Sequence, residues 1–135
     1  MAHFVFTDAR VELNAVVLST HVESVTLEYK SELQDDTNMG NTTRKRLGGL
    51  KDWSVSINFR QDFAAALVDA TLFPLVGTTF AVKIRPTTAA ISATNPEYQG
   101  TGILESYRPI GDTVGNVAAA PVSIQAAGDL TRAVA

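Results

Sequence analysis

Residues 51–60 read Lys-Asp-Trp-Ser-Val-Ser-Ile-Asn-Phe-Arg. Trp53, Val55, Ile57 and Phe59 fall on one side of a period-two pattern; Asp52, Ser54, Ser56, Asn58 and Arg60 fall on the other. Successive side chains of an extended chain point to opposite faces, so this alternation predicts a half-buried β-strand with the four apolar residues as core anchors. Immediately beyond it the period changes. Phe63, Ala66, Leu67, Ala70 and Phe73 recur at three- and four-residue steps, which predicts an amphipathic helix with Phe63 and Leu67 as further core anchors. Asp62 is placed to cap the start of that helix and Gly77 to stop it. Pro74 ends it near Phe73, because proline lacks an N–H and its ring crowds the preceding turn. Phe80, Val82 and Ile84 restore period two. The centre of the chain therefore reads strand, helix, strand, with the helix laid on the sheet.

Towards the N-terminus, Val11 and Leu13 precede Asn14 and Val16 and Leu18 follow it, a pattern that predicts a tight hairpin over Arg10–Ser19. His21–Lys30 alternates, with Val25, Leu27 and Tyr29 as its expected buried set. Phe4–Phe6 is short and apolar, suited to an added strand or an arm. Ser31–Gly49 has almost no apolar periodicity, and Asp35, Asp36, Asn38, Gly40, Asn41, Thr42 and Thr43 are turn and loop residues. It reads as a long early loop. Loops of this length in compact domains usually carry a function. Its charge is split: Glu32, Asp35 and Asp36 come early, Arg44, Lys45 and Arg46 late. Two readings stand, a solvated surface loop or a loop whose acidic and basic ends pair with another copy of the chain.

Towards the C-terminus, Pro86–Pro96 reads as a second long loop. Tyr98–Arg108 reads as a strand whose Gly100 and Gly102 mark a bulge or a close backbone approach. Pro109–Asn116 is a polar turn. Val117–Ala127 is a last strand with Val122, Ile124 and Ala126 in phase, and Gly128–Ala135 an arm or frayed end. The expected architecture is mainly β: an antiparallel β-sandwich or small barrel of about six or seven strands with one flanking α-helix and a long early loop. At 135 residues the chain fits one domain, 1–135.

Composition narrows the function. A net charge of −3 lacks the basic face that a reader of duplex DNA needs. There is no cysteine, so disulfides and thiolate metal sites are excluded. No signal-peptide pattern opens the sequence and no apolar run is long enough for a membrane anchor. His3 and His21 have no companion ligand spacing. Asp35 as the first position of a calcium loop would put Arg46 at the twelfth, where a bidentate glutamate belongs. Gly48-Gly49 precedes a strand, whereas a phosphate loop must run into a helix. No nucleophile elbow or triad spacing is visible. The Arg44-Lys45-Arg46 run has no interleaved aromatics of the kind single-strand binders use. No enzyme and no cofactor is expected. Tyr98 and Tyr107 fall on opposite faces of a regular strand, which disfavours a carbohydrate-binding module. A binding or assembly protein remains.

The runs Asp35-Asp36-Thr37, Met39-Gly40, Thr42-Thr43-Arg44 and Gly48-Gly49-Leu50-Lys51-Asp52-Trp53-Ser54 resemble small tail tube (major tail) proteins of long-tailed, siphovirus-type phages, actinobacteriophage-like in detail. So do Gln61-Asp62-Phe63, Asp69–Leu75, Arg85-Pro86-Thr87, Thr94–Tyr98 and the closing Gly128–Ala133. The resemblance spans most of the chain from Val11 onward. It implies a virion structural protein whose subunits form rings, usually hexameric, that stack into a tube through which DNA is ejected without sequence-specific binding. It implies a β domain in which 31–49 is an assembly loop and the termini are arms. Glu32, Asp35, Asp36, Asn38, Met39, Arg44, Lys45 and Arg46 would lie at a subunit or ring interface. It implies as partners further copies of the chain, a tape-measure protein, and tail-tip and tail-terminator proteins; the place is the virion tail, and the host cytoplasm during assembly. A capsid decoration protein, or the inner-tube protein of a related injection machine or gene-transfer particle, fits the same residues.

Overall fold

The computed structural model describes residues 3–134. In chain order the strands are β1 (Arg10–Leu13), β2 (Val16–Val17), β3 (Val22–Asp35), β4 (Arg46–Arg60), β5 (Thr79–Arg85), β6 (Glu97–Tyr107), β7 (Ala119–Ala126) and β8 (Thr131–Ala133), with one α-helix, α1 (Val68–Leu72), between β4 and β5. All pairings between named strands are antiparallel. They form one sheet in the order β2-β1-β5-β6-β7-β4-β3, with β8 also on β6. The sheet is not closed: β2 and β3 remain its two edges.

The alternation at 51–60 does what the sequence pattern requires. Trp53, Val55, Ile57 and Phe59 are buried. They pack in one core with Val11, Leu13, Phe80, Val82, Ile84, Leu104, Ala120, Val122 and Ile124, so five strands give their inward faces to it. A flat sheet cannot bury one face against so small a helix, and this sheet curls. One apolar groove is lined both by Val25, Leu27 and Tyr29 of β3 and by Ile84 of β5 and Tyr98 of β6, although β4 and β7 lie between them in the sheet order. The open seam of the curl is flanked by residues 6–9, which line a small cleft with Ser19 and the start of β3.

The Asn14 hairpin is a two-residue turn, Leu13 opposite Val16. Asn14 and Ala15 take φ of 51° and 65°, the left-handed pair that matches the twist of the flanking strands. Gly100 and Gly102 mark a close approach. The Trp53 ring crosses over them, and a Cβ at Gly100 would sit 2.8 Å from Trp53 Cζ2. The bulge of β6 lies elsewhere, between Leu104 and Ser106.

Three expectations need correction. The helix is five residues long and starts at Val68, with Leu67 before it. Ala66 has φ of 60°, which no right-handed helix accommodates. The buried face is Val68, Thr71, Leu72 and, in the following 3₁₀ turn, Leu75. That is one position on from the expected stripe, a rotation of about 100°. Leu67 is only half-buried. Phe63 is 64% exposed and Phe73 69%, so Phe63 is no core anchor. The Asp62 side chain does not cap α1: its Oδ1 accepts the Ala64 N–H, and it is the Asp62 backbone carbonyl that accepts the first-turn Asp69 N–H at 3.1 Å. Second, the tail is not frayed through its length. Its residues 131–133 pair with β6, held where Trp53 Nε1 donates to the Gly128 carbonyl at 2.8 Å. Third, Ser31–Gly49 is a loop only over residues 36–45; residues 31–35 and 46–49 are strand.

Candidate functional site

β3 and β4 run on past the body. Pairing of β4 with β7 begins at Ser54, opposite Gln125. Before it, β4 pairs only with β3: Tyr29 with Trp53, Ser31 with Lys51, Leu33 with Gly48, Gln34 with Leu47 and Asp35 with Arg46. The expected loop is therefore a two-stranded arm about 20 Å long at roughly 3.3 Å per residue, with a true loop only over residues 36–45. Every residue from Glu28 to Asp52 is exposed, Tyr29 included, so of the expected buried set of β3 only Val25 and Leu27 are partly buried and Tyr29 lies beyond the body's cover. Polar composition misled the sequence reading. A strand that faces solvent on both sides has no apolar face to show.

A bulge sets the arm's faces. One residue of β3, Glu32, opposes two of β4, Gly49 and Leu50. A Cβ on Gly49 would lie 2.9 Å from the Glu32 carbonyl oxygen, so the bulge needs glycine there. The extra residue breaks period two, which hid the pattern. Tyr29 and Leu33 continue the core-facing side of β3, while Leu47, opposite Gln34, lies on the other side. Leu33 is 60% exposed, Leu47 58% and Leu50 80%. These three leucines are functional candidates that sequence reasoning passed over; their signal was three large apolar residues inside a polar stretch.

The tip is prebuilt. Gly40, at φ 91°, is the third residue of a tight turn in which Asn41 N–H donates to the Asn38 carbonyl, and Asn41 Oδ1 accepts the Asn38 N–H. Thr37 Oγ1 accepts the Lys45 N–H at 2.9 Å, and Thr37 N–H donates to Asp35 Oδ1. Arg44 Nη1 lies 2.8 Å from Asp35 Oδ2. The hydrogen bonds from Thr37, with Arg44 adding, hold the Asp35 carboxyl below its usual value. Thus the acidic and basic ends meet within one chain, at least at Asp35–Arg44, and that pair is not free for a neighbour. Glu32 accepts from Gln34 Nε2 at 3.2 Å. Lys45 and Arg46 form no salt bridge among the described residues, and Met39 stands fully exposed at the tip.

The remaining polar contacts are structural. Tyr107 O–H donates to Asp69 Oδ1 and accepts from Gln61 Nε2, each at 2.9 Å, tying α1 to the end of β6. Burial pushes this phenol up from its usual value, the Gln61 bond opposes that, and Asp69 adds to it. Arg85 Nε and Glu97 Oε2 are 2.6 Å apart at the floor of the apolar groove, a close charge contact in which the N–H is not well aimed at the oxygen. Asn95 organises the 86–96 loop, donating to the carbonyls of Ala89 and Ala90. Among the described residues no cluster of His, Asp and Glu is placed to hold a metal. Among the described residues no helix is long and apolar enough to cross a membrane.

A curled, open, mainly-β sheet with one short helix and a projecting hairpin is the class that these features define. No family model matches the chain, and no curated protein matches it. Solved structures do. A chain of the virion of a native gene transfer agent particle superposes with TM-score 0.67 at 19% identity, covering 93% of this chain and 95% of that one. A chain of the tail of an empty gene transfer agent particle, refined with C6 symmetry, superposes with TM-score 0.70 at 15% identity, with 92% of both chains covered. At these identities the likeness is one of fold, and it extends over nearly the whole of each chain.

Proposed function

We propose that this chain is a structural, non-enzymatic subunit of a phage-like tail. Its copies close into rings, six to a ring, and the rings stack into the tube that conducts DNA. The observation that carries the reading is the arm. A two-stranded ribbon is marginal alone in water, and this one holds Leu33, Leu47 and Leu50 more than half exposed. Exposed apolar surface gathered on one projection marks a contact surface. A fold shared with subunits of tail and virion particles supplies the kind of contact. Rings of identical copies stack head to tail, which extends without closing. The interface proposed from the sequence, Glu32, Asp35, Asp36, Asn38, Met39 and Arg44–Arg46, lies on this arm. To it we add the three leucines.

The sheet face turned from the core supports a conduit. On β4 and β7 it presents Ser54, Ser56, Asn58, Ser123 and Gln125, hydroxyls and amides with few cations to grip phosphate. The setting is the virion tail, with assembly in the host cytoplasm; tape-measure, tail-tip and tail-terminator proteins are the expected partners. A gene-transfer particle would use the same subunit in the same way, and the two structural neighbours favour that version as much as a siphovirus tail.

Negative-stain electron microscopy over a concentration series, with and without a tail-tip initiator, tests the reading. Hollow tubes or rings of uniform diameter are expected. A chain that stays monomeric under both conditions yet decorates capsids would overturn it.

A further inference from the structure

Trp53 stands where the arm leaves the body. β4 has β3 on one side throughout, but β7 on the other only from Ser54 onward. Past Gln125 the chain that ran beside β4 stops following it. It follows β6 instead: Ala127 N–H donates to the Thr101 carbonyl at 2.9 Å, and residues 131–133 pair with Gln99, Tyr98 and Glu97. The parting of the two strands leaves a cleft, lined by Tyr29, Lys51 and Trp53 from the arm side and by residues 128–131 of the tail. Gly102 faces Ala126 and Gln99 faces Thr131, so three steps along β6 match five along the tail. The excess of two residues makes a bulge in the wall of the cleft.

The indole bridges this cleft where it narrows. Its Nε1 donates to the Gly128 carbonyl, inside the bulge, at 2.8 Å, and its ring rests on Gly100 and Gly102 of β6. Among the described residues this is the one hydrogen bond between residues 46–53 and residues 127–134. The other bonds of the tail go to β6, at Thr101 and Gln99. Its apolar anchor, Leu130, packs against the core and lines a groove with Tyr29. Trp53 is 2% exposed. A donor on so buried a ring is costly without an acceptor, and Gly128 supplies one only while the bulge is seated.

We infer that Trp53 is a latch through which the C-terminal strand sets the seating of the arm within one subunit. With β8 on β6, the bulge offers its carbonyl, the indole stays over the glycines, and the root of the arm, residues 28–30 and 51–52, is held against the body. When β8 lifts, the indole N–H loses its acceptor, the ring leaves its slot, and the fork between β4 and the tail opens. Two elements that do not pair with each other thus share two states. The coupling is a single free energy and runs both ways: displacing the arm root weakens the tail by the factor by which releasing the tail loosens the root. The latch belongs to the isolated subunit and stands whether or not copies form a tube.

The test is amide hydrogen exchange in the full-length monomer, with the emission of Trp53, the single tryptophan, read alongside. Thr131→Pro with Arg132→Pro lifts β8. Consecutive N–H groups of a strand point to opposite sides, so one of the two faces β6 and is lost. Both residues are exposed and neither lies in the arm. The hydrogen-bonded amides of residues 28–30 and 51–52 then exchange roughly fivefold faster, the weight of one hydrogen bond. The indole emission moves to longer wavelength, while Val55, Ile57 and Ile124 keep their protection. Trp53→Phe leaves a ring in the slot and deletes the N–H; it speeds the arm root and residues 131–133 together, by a similar factor. Added to Trp53→Phe, the proline pair speeds the arm root no further. An arm root that ignores the proline pair, or rates that multiply when the changes are combined, overturns the inference. If the proline pair also speeds the core amides, Trp53→Phe decides, and acceleration confined to the arm root or to the tail overturns it.

Discussion

Replacing Leu47 and Leu50 by serine separates assembly from folding. In the free chain they are 58% and 80% exposed, and neither belongs to the core. Full burial of a leucine contributes about 1.5–3 kcal/mol. Burying only the part now exposed contributes about 0.9–1.7 kcal/mol at Leu47 and about 1.2–2.4 kcal/mol at Leu50. The double variant therefore gives up about 2–4 kcal/mol per arm contact, and at 1.4 kcal/mol per decade the assembly threshold rises by about 30- to 1000-fold. The fold loses nothing comparable, since both side chains already face water. Light scattering across a dilution series reads the threshold. Thermal unfolding of dissociated monomer reads the fold, where a shift of no more than about 2 °C is expected, as surface changes stay within about 0.5 kcal/mol. A threshold that moves less than threefold refutes the reasoning. So does a monomer melting temperature that drops along with it, because the leucines would then be supporting the body.

Three further outcomes follow from contacts in the body and at the tip. Gly102→Ala places a Cβ 2.6 Å from Ile124 Cγ2 and 3.2 Å from the Trp53 ring; overpacking there costs about 1–3 kcal/mol, read as a lower urea midpoint, and an unchanged midpoint counts against the indole slot. Tyr107→Phe removes the hydrogen bonds to Asp69 and Gln61 and costs about 1 kcal/mol. Because the folded phenol is raised above 10.0, that stabilisation is complete below pH 10 and lost as pH rises through the raised value; ring resonances of Tyr107 titrating at or below 10 contradict it. Asp35 is lowered from 3.8, so the order it gives the tip is present above that value and lost as pH falls through the lowered one. Its side-chain carbonyl shift should titrate below 3.8, and a midpoint above that removes the Thr37 clasp from the account.

What the sequence made legible depended on having one wet face and one dry one. Residues 51–60 alternate because β4 lies between β3 and β7 with its core face covered, and the strand, its faces and its four anchors follow from that alone. The Asn14 turn was legible for a local reason, the left-handed preference of asparagine beside a two-residue loop. The helix was not, because two apolar stripes one residue apart compete between Phe63 and Leu75. Tertiary contacts choose between them: Tyr107 holds Asp69, and Gln61 reaches Pro109. The pairing of residues 131–133 depends on a bond from Trp53, 75 positions earlier, and nothing local to the tail announces it. In the arm, the bulge at Gly49-Leu50 shifts the leucines out of phase, so a real strand pair carries a loop's signature. The charged residues of the arm were legible as a cluster, but their pairing was not, because folding back the hairpin puts Arg44 beside Asp35 of the same chain.

The arm and the body differ in what orders them, and hydrogen exchange makes that difference measurable. The body's strands bury Val55, Ile57 and Ile124, so their amides open only with global unfolding. The arm has no buried side chain from Glu28 to Asp52. Its ladder is supported by an ion pair with both partners exposed, worth little in water, and by continuity with β3 and β4 at its base. Amides of residues 31–35 and 46–50 should therefore exchange in the free monomer with little protection. In assembled tubes the same leucine contacts that set the threshold must hold the ribbon closed, so protection rises by the same about 30- to 1000-fold. If those amides are already as slow in the monomer as Val55 and Ile57, the arm is a rigid spike that needs no partner, and the exposed leucines lose their explanation. If they stay fast in tubes, the arm is not the contact that joins rings.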